Sequence, residues 1–179
     1  IIGEPVDYSI DDFSFINQDN DTITQDSLAG SIYVANFFFT SCPSICPTMT
    51  RNMSYLQDKL SVYPNIRFLS HTVDPDNDTP EKLNSYVNLM QQDSVSIDLS
   101  NWDFVTGDKD EIYDIAKSYL CSVLESEEEN TGGFIHSEYF VLIDKQGRIR
   151  SGIDKNGNAV GAYDGTNEVQ MKDLINDIN

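Results

Sequence analysis

The stretch from Ile32 to Pro47 reads IYVANFFFTSCPSICP, and the prediction of the fold starts from it. Its first part, Ile32–Phe39, is almost entirely β-branched or aromatic, which is typical of a strand covered on both faces. Pro47 stands where the first turn of a helix tolerates proline, and apolar residues follow it at helical spacing. The stretch therefore predicts a buried strand, a turn that holds Cys42 and Cys46, and a helix.

Further strands and helices alternate on both sides of this stretch. Predicted strands cover Phe13–Ile16, Thr22–Thr24, Ile66–Val73, Glu138–Ile143 and Ile149–Ile153. Predicted helices cover Pro80 to about Met90 with Thr79 as N-cap, Asp108 to about Leu124, and roughly Asn167–Ile178. The charged run Glu125–Asn130 is expected to be a solvated loop. A parallel βαβ unit, an antiparallel hairpin and a closing helix predict an α/β, thioredoxin-like fold: a mixed central sheet flanked by helices, with an N-terminal β-hairpin.

The size and charge of the chain exclude some partners. Its 179 residues, of which 39% are hydrophobic, are typical of a single globular domain over 1–179. Eleven Lys and Arg against thirty Asp and Glu give a net charge of −19. A field of that sign repels phosphate backbones and anionic lipid surfaces, so nucleic acid is excluded as a partner.

An N-terminal extension is expected ahead of Ile1. The longest mostly apolar stretch, Ile32–Phe39, is far shorter than the ~20 residues that a membrane-spanning helix requires. The chain starts with Ile1 rather than Met, which predicts a removed signal or anchor. Residues 1–10 are then expected to be linker, and membrane contact is expected only through that anchor.

Cys42 and Cys46 are the candidate reactive groups. They lie four residues apart at the predicted start of a helix, where backbone amides favour thiolate over thiol. Thiolates attack disulfides and bind soft metals, and both roles stay open here. Redox motifs usually have two residues between the cysteines, whereas this chain has three, yet the wider loop can still close a disulfide. The third cysteine, Cys121, is predicted to be a small apolar residue on a helix face.

The chain has two histidines, His71 and His136, that could share a metal site with the thiols. His136 directly precedes a predicted strand, where a loop could bring its imidazole beside the cysteine turn. His71 lies within a predicted strand and is expected to be a structural residue. Two thiolates and one imidazole suit copper(I), with copper(II) accessible through the imidazole, whereas structural zinc would require a fourth ligand.

The acidic segment after the second buried strand is expected to be a turn. Asp74, Asp76 and Asp78 alternate like the opening of a calcium loop. A calcium loop then requires glycine at its sixth position and glutamate at its twelfth, but Thr79 and Ser85 occupy those positions. The segment therefore predicts a proline-bounded turn that leads into a helix.

Four motifs, in this order, carry a resemblance to a known family: Phe38–Pro47, Thr72–Glu81, Trp102 with Thr106-Gly107, and His136-Ser137 ahead of a strand. In these residues the chain resembles the Sco/SenC family of copper-binding, thioredoxin-like proteins. The resemblance implies that Cys42, Cys46 and His136 are copper ligands. It also implies that Asp74 lies beside the site or helps to dock a partner.

The resemblance further implies a copper metallochaperone. Such a protein would deliver copper to the dinuclear copper centre of a cytochrome oxidase subunit, or reduce the cysteines of that centre. The implied partners are that subunit and a copper donor protein. The implied location is the periplasmic side of the cell envelope, with a membrane anchor, and the implied state is a monomer.

An enzyme is the alternative interpretation: a thiol-disulfide oxidoreductase, or a thiol peroxidase, that uses the Cys42 and Cys46 pair. Dithiol oxidoreductases of this fold have a cis-proline opposite the cysteine turn. All six prolines of this chain lie at or before Pro80, and Ile135-His136-Ser137 stands where that proline is expected. This favours metal binding, and it leaves the enzyme as the second hypothesis.

Overall fold

The order of strands and helices follows most of the sequence prediction. The structure, a computed structural model, describes residues 9–121, 123–125, 134–150, 152–153 and 159–178. Strands lie at Ser14–Asn17 (β1), Thr22–Thr24 (β2), Ile32–Phe38 (β3), Ile66–Thr72 (β4), Trp102–Thr106 (β5), Val123–Glu125 (β6), Phe134–His136 (β7), Tyr139–Ile143 (β8), Ile149–Arg150 (β9), Gly152–Ile153 (β10), Ala159–Val160 (β11) and Tyr163–Asp164 (β12). Helices lie at Gln25–Leu28 (α1), Cys46–Leu60 (α2), Pro80–Gln92 (α3), Lys109–Ser118 (α4) and Glu168–Ile178 (α5).

A mixed sheet organises these elements, as predicted. Its strand order is β12-β8-β3-β4-β5-β1-β2, and β9 pairs with β8. Strand β4 is parallel to both β3 and β5, and the connections between these neighbours contain α2 and α3. Strand β8 runs antiparallel to β3, and β1 runs antiparallel to β5. The predicted N-terminal hairpin is confirmed as β1 and β2.

Helices cover both faces of the sheet. Neighbouring residues of a strand point to opposite faces of the sheet, so the side chains of Phe37 and Phe38 lie on different faces. Phe38 packs against Tyr86 of α3, with ring centroids 5.3 Å apart. Phe37 packs against Tyr119, the C-cap of α4, at 5.8 Å. The predicted flanking of the sheet by helices is thus confirmed.

Local signals that the sequence carries are confirmed in several places. Thr79 caps α3, and its side chain accepts a hydrogen bond from the Lys82 amide. The predicted C-terminal hairpin forms, with Ile143 opposite Ile149 across β8 and β9. Of the run Glu125–Asn130, Glu125 belongs to β6, and the other residues lie outside the described part of the chain.

Between 100 and 125 the structure differs from the prediction in one missed strand and one helix that was predicted too long. Trp102–Thr106 was not predicted as a strand, but it is β5, which is buried along its whole length. The helix predicted to reach Leu124 ends at Ser118, because Leu120 has a φ of +58° that an α-helix does not accommodate. The residues Val123–Glu125, which follow the helix, form strand β6 and pair with β7. Apolar residues continue past the end of the helix, and this pattern extended the prediction too far.

In the part of the chain that the structure describes, no helix combines the length and the apolar character needed to cross a membrane.

His71 is a residue of strand β4, as predicted, and the structure places it in a buried, aromatic environment. Its ring is stacked on that of Phe37 at 4.9 Å and makes edge contacts with Phe13 and Phe15. Neither ring nitrogen makes a hydrogen bond of normal geometry with a described residue. Burial lowers the pKa of His71 to about 3, and a contact with the Asn36 backbone opposes this only in part.

The free energy of unfolding is therefore expected to depend on pH through His71. Because the folded pKa lies below the ordinary value of 6.5, this stabilisation is complete above pH 6.5. It is lost as the pH falls from 6.5 towards 3, since only the unfolded chain takes up the proton. The loss at pH 5 is about 2 kcal/mol.

Urea unfolding of the metal-free protein at pH 7 and pH 5 tests this prediction. The variant His71→Phe should lack this part of the pH dependence, whereas His136→Ala should retain it. An identical pH dependence in wild type and His71→Phe would contradict the prediction.

Candidate metal-binding and thiol site

The two cysteines lie in the turn that joins β3 to α2. The amide of Cys42 donates to the carbonyl of Phe39 at 3.2 Å, which closes a tight turn directly after the strand. Cys46 is the first residue of α2, and Pro47 occupies its first turn as predicted. Cys42 therefore lies before the helix, and Cys46 alone stands at its start.

The thiols of Cys42 and Cys46 nevertheless contact each other. All three cysteines are in the reduced, thiol form, and Cys42 is partly exposed whereas Cys46 is fully buried. A hydrogen bond with the Cys42 thiol raises the pKa of Cys46 far above its ordinary value, and burial raises it further. The sequence predicted that helix amides would favour thiolate. For Cys46 these local amides are outweighed by its neighbouring thiol and by the loss of solvent.

The backbone of His136 lies in β7, where it pairs with Val123 of β6. Its side chain is outside the described part of the structure. The chain on both sides of it is anchored. Two residues earlier, the ring of Phe134 packs on that of Phe39 at 5.2 Å. One residue later, Ser137 makes a hydrogen bond with the side chain of Cys121.

Phe39 stands three residues before Cys42, so the anchored segment and the cysteine turn meet at the same end of β3.

Cys121 differs from its prediction as a residue on a helix face. It follows the end of α4, and its amide donates to the carbonyl of Ala116 at 2.9 Å. Its side chain is buried, and burial raises its pKa to about 11 although the bond with Ser137 opposes the shift. Cys121 thus supports the segment next to His136.

Asp78 connects the cysteine turn to the end of β4. One of its carboxylate oxygens, Oδ2, accepts from the Thr40 amide at 3.0 Å and from the Thr72 hydroxyl at 2.5 Å. The other, Oδ1, accepts from the Thr40 hydroxyl at 2.5 Å. These contacts were not predicted, because the sequence pattern indicated only a turn at Asp78. The regular Asp74, Asp76, Asp78 spacing was the available signal.

Asp74 lies close to this network but does not touch a cysteine. Its carboxylate accepts from the Asn77 amide group at 3.0 and 3.1 Å, and its own amide donates to the Thr72 hydroxyl. Burial raises the pKa of Asp74, while the bond from Asn77 opposes the shift. Among the described residues, Thr72 and Asp78 thus connect Asp74 to the cysteine turn.

Among the side chains that the structure describes, no group of three or more His, Cys, Asp or Glu is arranged to hold a metal ion. Cys42 and Cys46 supply two soft sulfur donors, and the third predicted ligand, His136, has a side chain outside this set. Two adjacent thiols suit a soft ion such as copper(I), and they equally suit disulfide formation.

Comparison with known sequences matches residues 4–169 to the SCO1/SenC family. The SCO1 protein homolog of Bacillus subtilis is 33% identical over 180 residues, which cover 99% of this chain and 84% of that protein. A SCO2-like protein of Rickettsia prowazekii is 31% identical over 144 residues, which cover 76% of this chain. The match covers 64% of the Rickettsia protein, so less than two thirds of that relative is represented.

Solved structures agree with this match. A SCO1/SenC family lipoprotein from Bacillus anthracis has a TM-score of 0.80 at 30% identity, with 99% of this chain and 97% of that chain covered. BsSco, described as a member of the Sco family of cytochrome c oxidase assembly proteins with a disulfide switch, has a TM-score of 0.76 at 31% identity, with 99% and 95% covered. The predicted thioredoxin-like fold is thereby confirmed.

A more distant neighbour was solved with copper bound. It is ScoI of Arabidopsis thaliana, with a TM-score of 0.70 at 24% identity and with 94% of this chain and 96% of that chain covered. At this identity the likeness shows the fold.

The burial of the three thiols predicts their order of alkylation. Cys42 is partly exposed, whereas Cys46 and Cys121 are 0% and 5% exposed. Alkylation of a buried thiol requires local opening of the chain, so Cys42 should react with iodoacetamide at least about tenfold faster than the other two. Peptide mass spectrometry over time measures each rate in the reduced, metal-free protein.

The variant Cys42→Ser should lose the fast phase, whereas Cys121→Ser should retain it. Equal rates at Cys42 and Cys121 would contradict the burial described above.

Proposed function

The chain belongs to the SCO1/SenC family, and from this premise we propose that it is a copper metallochaperone. In this proposal it binds one copper ion through the sulfurs of Cys42 and Cys46 and the imidazole of His136. It takes up and releases copper by ligand exchange, without catalytic turnover. Copper is its cargo rather than a resident cofactor.

The packing of Phe134 on Phe39 is the observation that carries this proposal. It ties the strand that contains His136 to the residue from which the cysteine turn starts. Ser137 is held on the other side by Cys121. His136 thus lies between two neighbours that are each held by a contact, and the proposal requires its imidazole to reach the two thiols. This supports a three-ligand site assembled from a turn and a separate hairpin.

The chemistry of these donors supports copper as the ion. Thiolates select copper(I), and the imidazole keeps copper(II) accessible, so one site can hold both oxidation states. Metal binding replaces the thiol protons, which compensates for the raised pKa of the buried Cys46. The copper-bound Arabidopsis ScoI shares the fold of this chain, and its copper supports the same cargo here.

Assembly of a cytochrome oxidase is the process in which we propose that the chain acts. BsSco, at 31% identity, belongs to a family of cytochrome c oxidase assembly proteins. We propose that this chain receives copper from a donor protein and delivers it to the dinuclear copper centre of an oxidase subunit, or reduces the cysteines of that centre. The partly exposed Cys42 is then the thiol that an incoming partner meets first. The net charge of −19 would steer the protein towards a basic patch on its acceptor.

We propose that the protein acts at the periplasmic side of the cell envelope, tethered by an N-terminal anchor. The Bacillus anthracis relative is a lipoprotein, which supports this location. A single domain over 1–179, in which residues 1–10 form a linker, and a monomeric state complete the proposal. Asp74 is proposed to act beside the site or in docking the acceptor, since it joins the cysteine turn through Thr72.

A thiol-disulfide oxidoreductase is the second candidate function. The contact between the Cys42 and Cys46 thiols favours it, because adjacent thiols can form a disulfide. A disulfide switch is described for BsSco, which supports the same chemistry. A chaperone that reduces the cysteines of its target before metal transfer would use both activities.

Copper(I) binding by the reduced protein tests the first proposal. In competition with a copper(I) chelator, we expect one copper per chain. The variants Cys42→Ser, Cys46→Ser and His136→Ala should each weaken the affinity by more than the roughly 10–100-fold that loss of a ligand's outer partner costs. Cys121→Ser is the matched control and should bind copper as the wild type does. Unchanged affinity in Cys46→Ser or His136→Ala would overturn the proposal.

Truncation of Phe134 tests in the same titration whether the anchored strand contributes to binding. Phe134→Ala removes the packing on Phe39 but leaves all three proposed ligands in the chain. We expect roughly tenfold weaker copper(I) binding, because the hairpin is less well held. Tyr55→Ala, a truncation of an exposed aromatic side chain on α2, is the control and should have no effect.

The enzyme hypothesis makes a different prediction for the same variants. Reduction of a disulfide substrate should be abolished in Cys42→Ser but nearly intact in His136→Ala if the thiols act alone. If His136→Ala instead binds copper poorly and reduces disulfides normally, both functions are present on the same sulfurs. Absence of any disulfide reduction by the wild type would exclude the enzyme.

A further inference from the structure

The carboxylate of Asp78 is buried and satisfied only by hydrogen bonds. The residue is 1% exposed, and within the described part of the chain no lysine or arginine forms an ion pair with it. Its carboxylate accepts three hydrogen bonds, two from Thr40 and one from Thr72. A buried charge requires such bonds, so the carboxylate fixes the position of every group that donates to it.

The donors belong to two separate segments. Thr40 lies two residues before Cys42, so its amide and hydroxyl belong to the cysteine turn itself. Thr72 is the last residue of β4, and its hydroxyl also accepts from the amide of Asp74. The backbone of Asp78 is held in turn, since its amide donates to the Asp74 carbonyl at 2.8 Å.

We propose that Asp78 is a positioning residue for the dithiol: by holding Thr40, it keeps the Cys42 thiol against the Cys46 thiol. Cys46 is fixed independently, because it opens α2 and is fully buried. Cys42 precedes the helix and is partly exposed, so its position depends on the turn that Thr40 begins. The benefit of this positioning rests on the proposed function, because two sulfurs in contact are already arranged to bind one metal ion.

This positioning can be measured in the absence of metal as the effective concentration of the Cys42 thiol at the Cys46 thiol. The dithiol and glutathione disulfide exchange to give the protein disulfide and two molecules of reduced glutathione. Electrons and protons balance, because each protein thiol gives up one hydrogen and the glutathione disulfide is reduced. A turn that moves more freely brings the sulfurs together less often, so its disulfide forms less readily.

The experiment measures the equilibrium constant of this exchange in the full chain, by quenching at a series of glutathione ratios. Asp78→Asn should lower the constant by about tenfold, a shift of about 30 mV for a two-electron couple. Thr40→Val leaves the Asp78 side chain in place but removes one of its donors, and it should also lower the constant. Thr40→Ser retains the hydroxyl and should restore the wild-type value.

Asp103→Asn is the control for a merely structural loss. Asp103 is also a buried carboxylate, 5% exposed, but it bonds to Arg67 and Asn17 rather than to the cysteine turn. It should lower the free energy of unfolding and leave the exchange constant unchanged. A similar change in the constant for Asp103→Asn, or a value within twofold of wild type in both Asp78→Asn and Thr40→Val, overturns the inference. If Asp78→Asn does not fold, the comparison of Thr40→Val with Thr40→Ser tests the inference.

The outcome separates this inference from the proposed function. If the wild type binds no copper(I) but Asp78→Asn and Thr40→Val shift the exchange constant, the copper proposal fails and the positioning role stands. If copper binds tightly and the constant does not move, the positioning role fails alone.

Discussion

The parallel pairing of β3 with β4 determines where the groups around the cysteines lie. Its register sets Phe37 opposite His71 and Phe38 opposite Thr72, so both strands end at the same level. The turns that leave parallel strands at one edge of a sheet are neighbours in space, although more than thirty residues separate them in sequence. Only with this register can the Asp78 carboxylate bond to both Thr40 and Thr72.

Two buried polar groups near this edge are accommodated in opposite ways. His71 is surrounded by aromatic rings, and its ring remains neutral because burial lowers its pKa. Asp78 is satisfied by an amide and two hydroxyls. Both arrangements avoid an unpaired buried charge, which is among the most costly features that a core can contain. The dithiol follows the first pattern, since the neighbouring thiol and burial both raise the pKa of Cys46 and keep it protonated.

Sequence reasoning identified the cysteine pair but not its surroundings. Cys42 and Cys46 were recognisable because a strand, a proline and helical spacing mark the turn around them. The protonated state of Cys46 was not predictable, because it depends on burial and on the exact approach of Cys42. Likewise, Asp78 carries no mark in the sequence that distinguishes it from Asp76, which is exposed and pairs with Lys109. The support that Cys121 gives to Ser137 depends on where α4 ends.

The sequence by itself determined the elements whose signals are local: the apolar run of β3, the proline at the start of α2, the Thr79 cap and the turn between β8 and β9. Tertiary structure decided the remainder. Strand β5 is short and contains Asp103, whose buried carboxylate is satisfied by Arg67 of β4 and Asn17 of β1. The apolar periodicity of α4 continues past Ser118, but the helix ends there and the following residues pair with β7 as strand β6. Local patterns fix backbone preferences over a few residues, whereas burial and partners depend on segments that meet only in the folded chain.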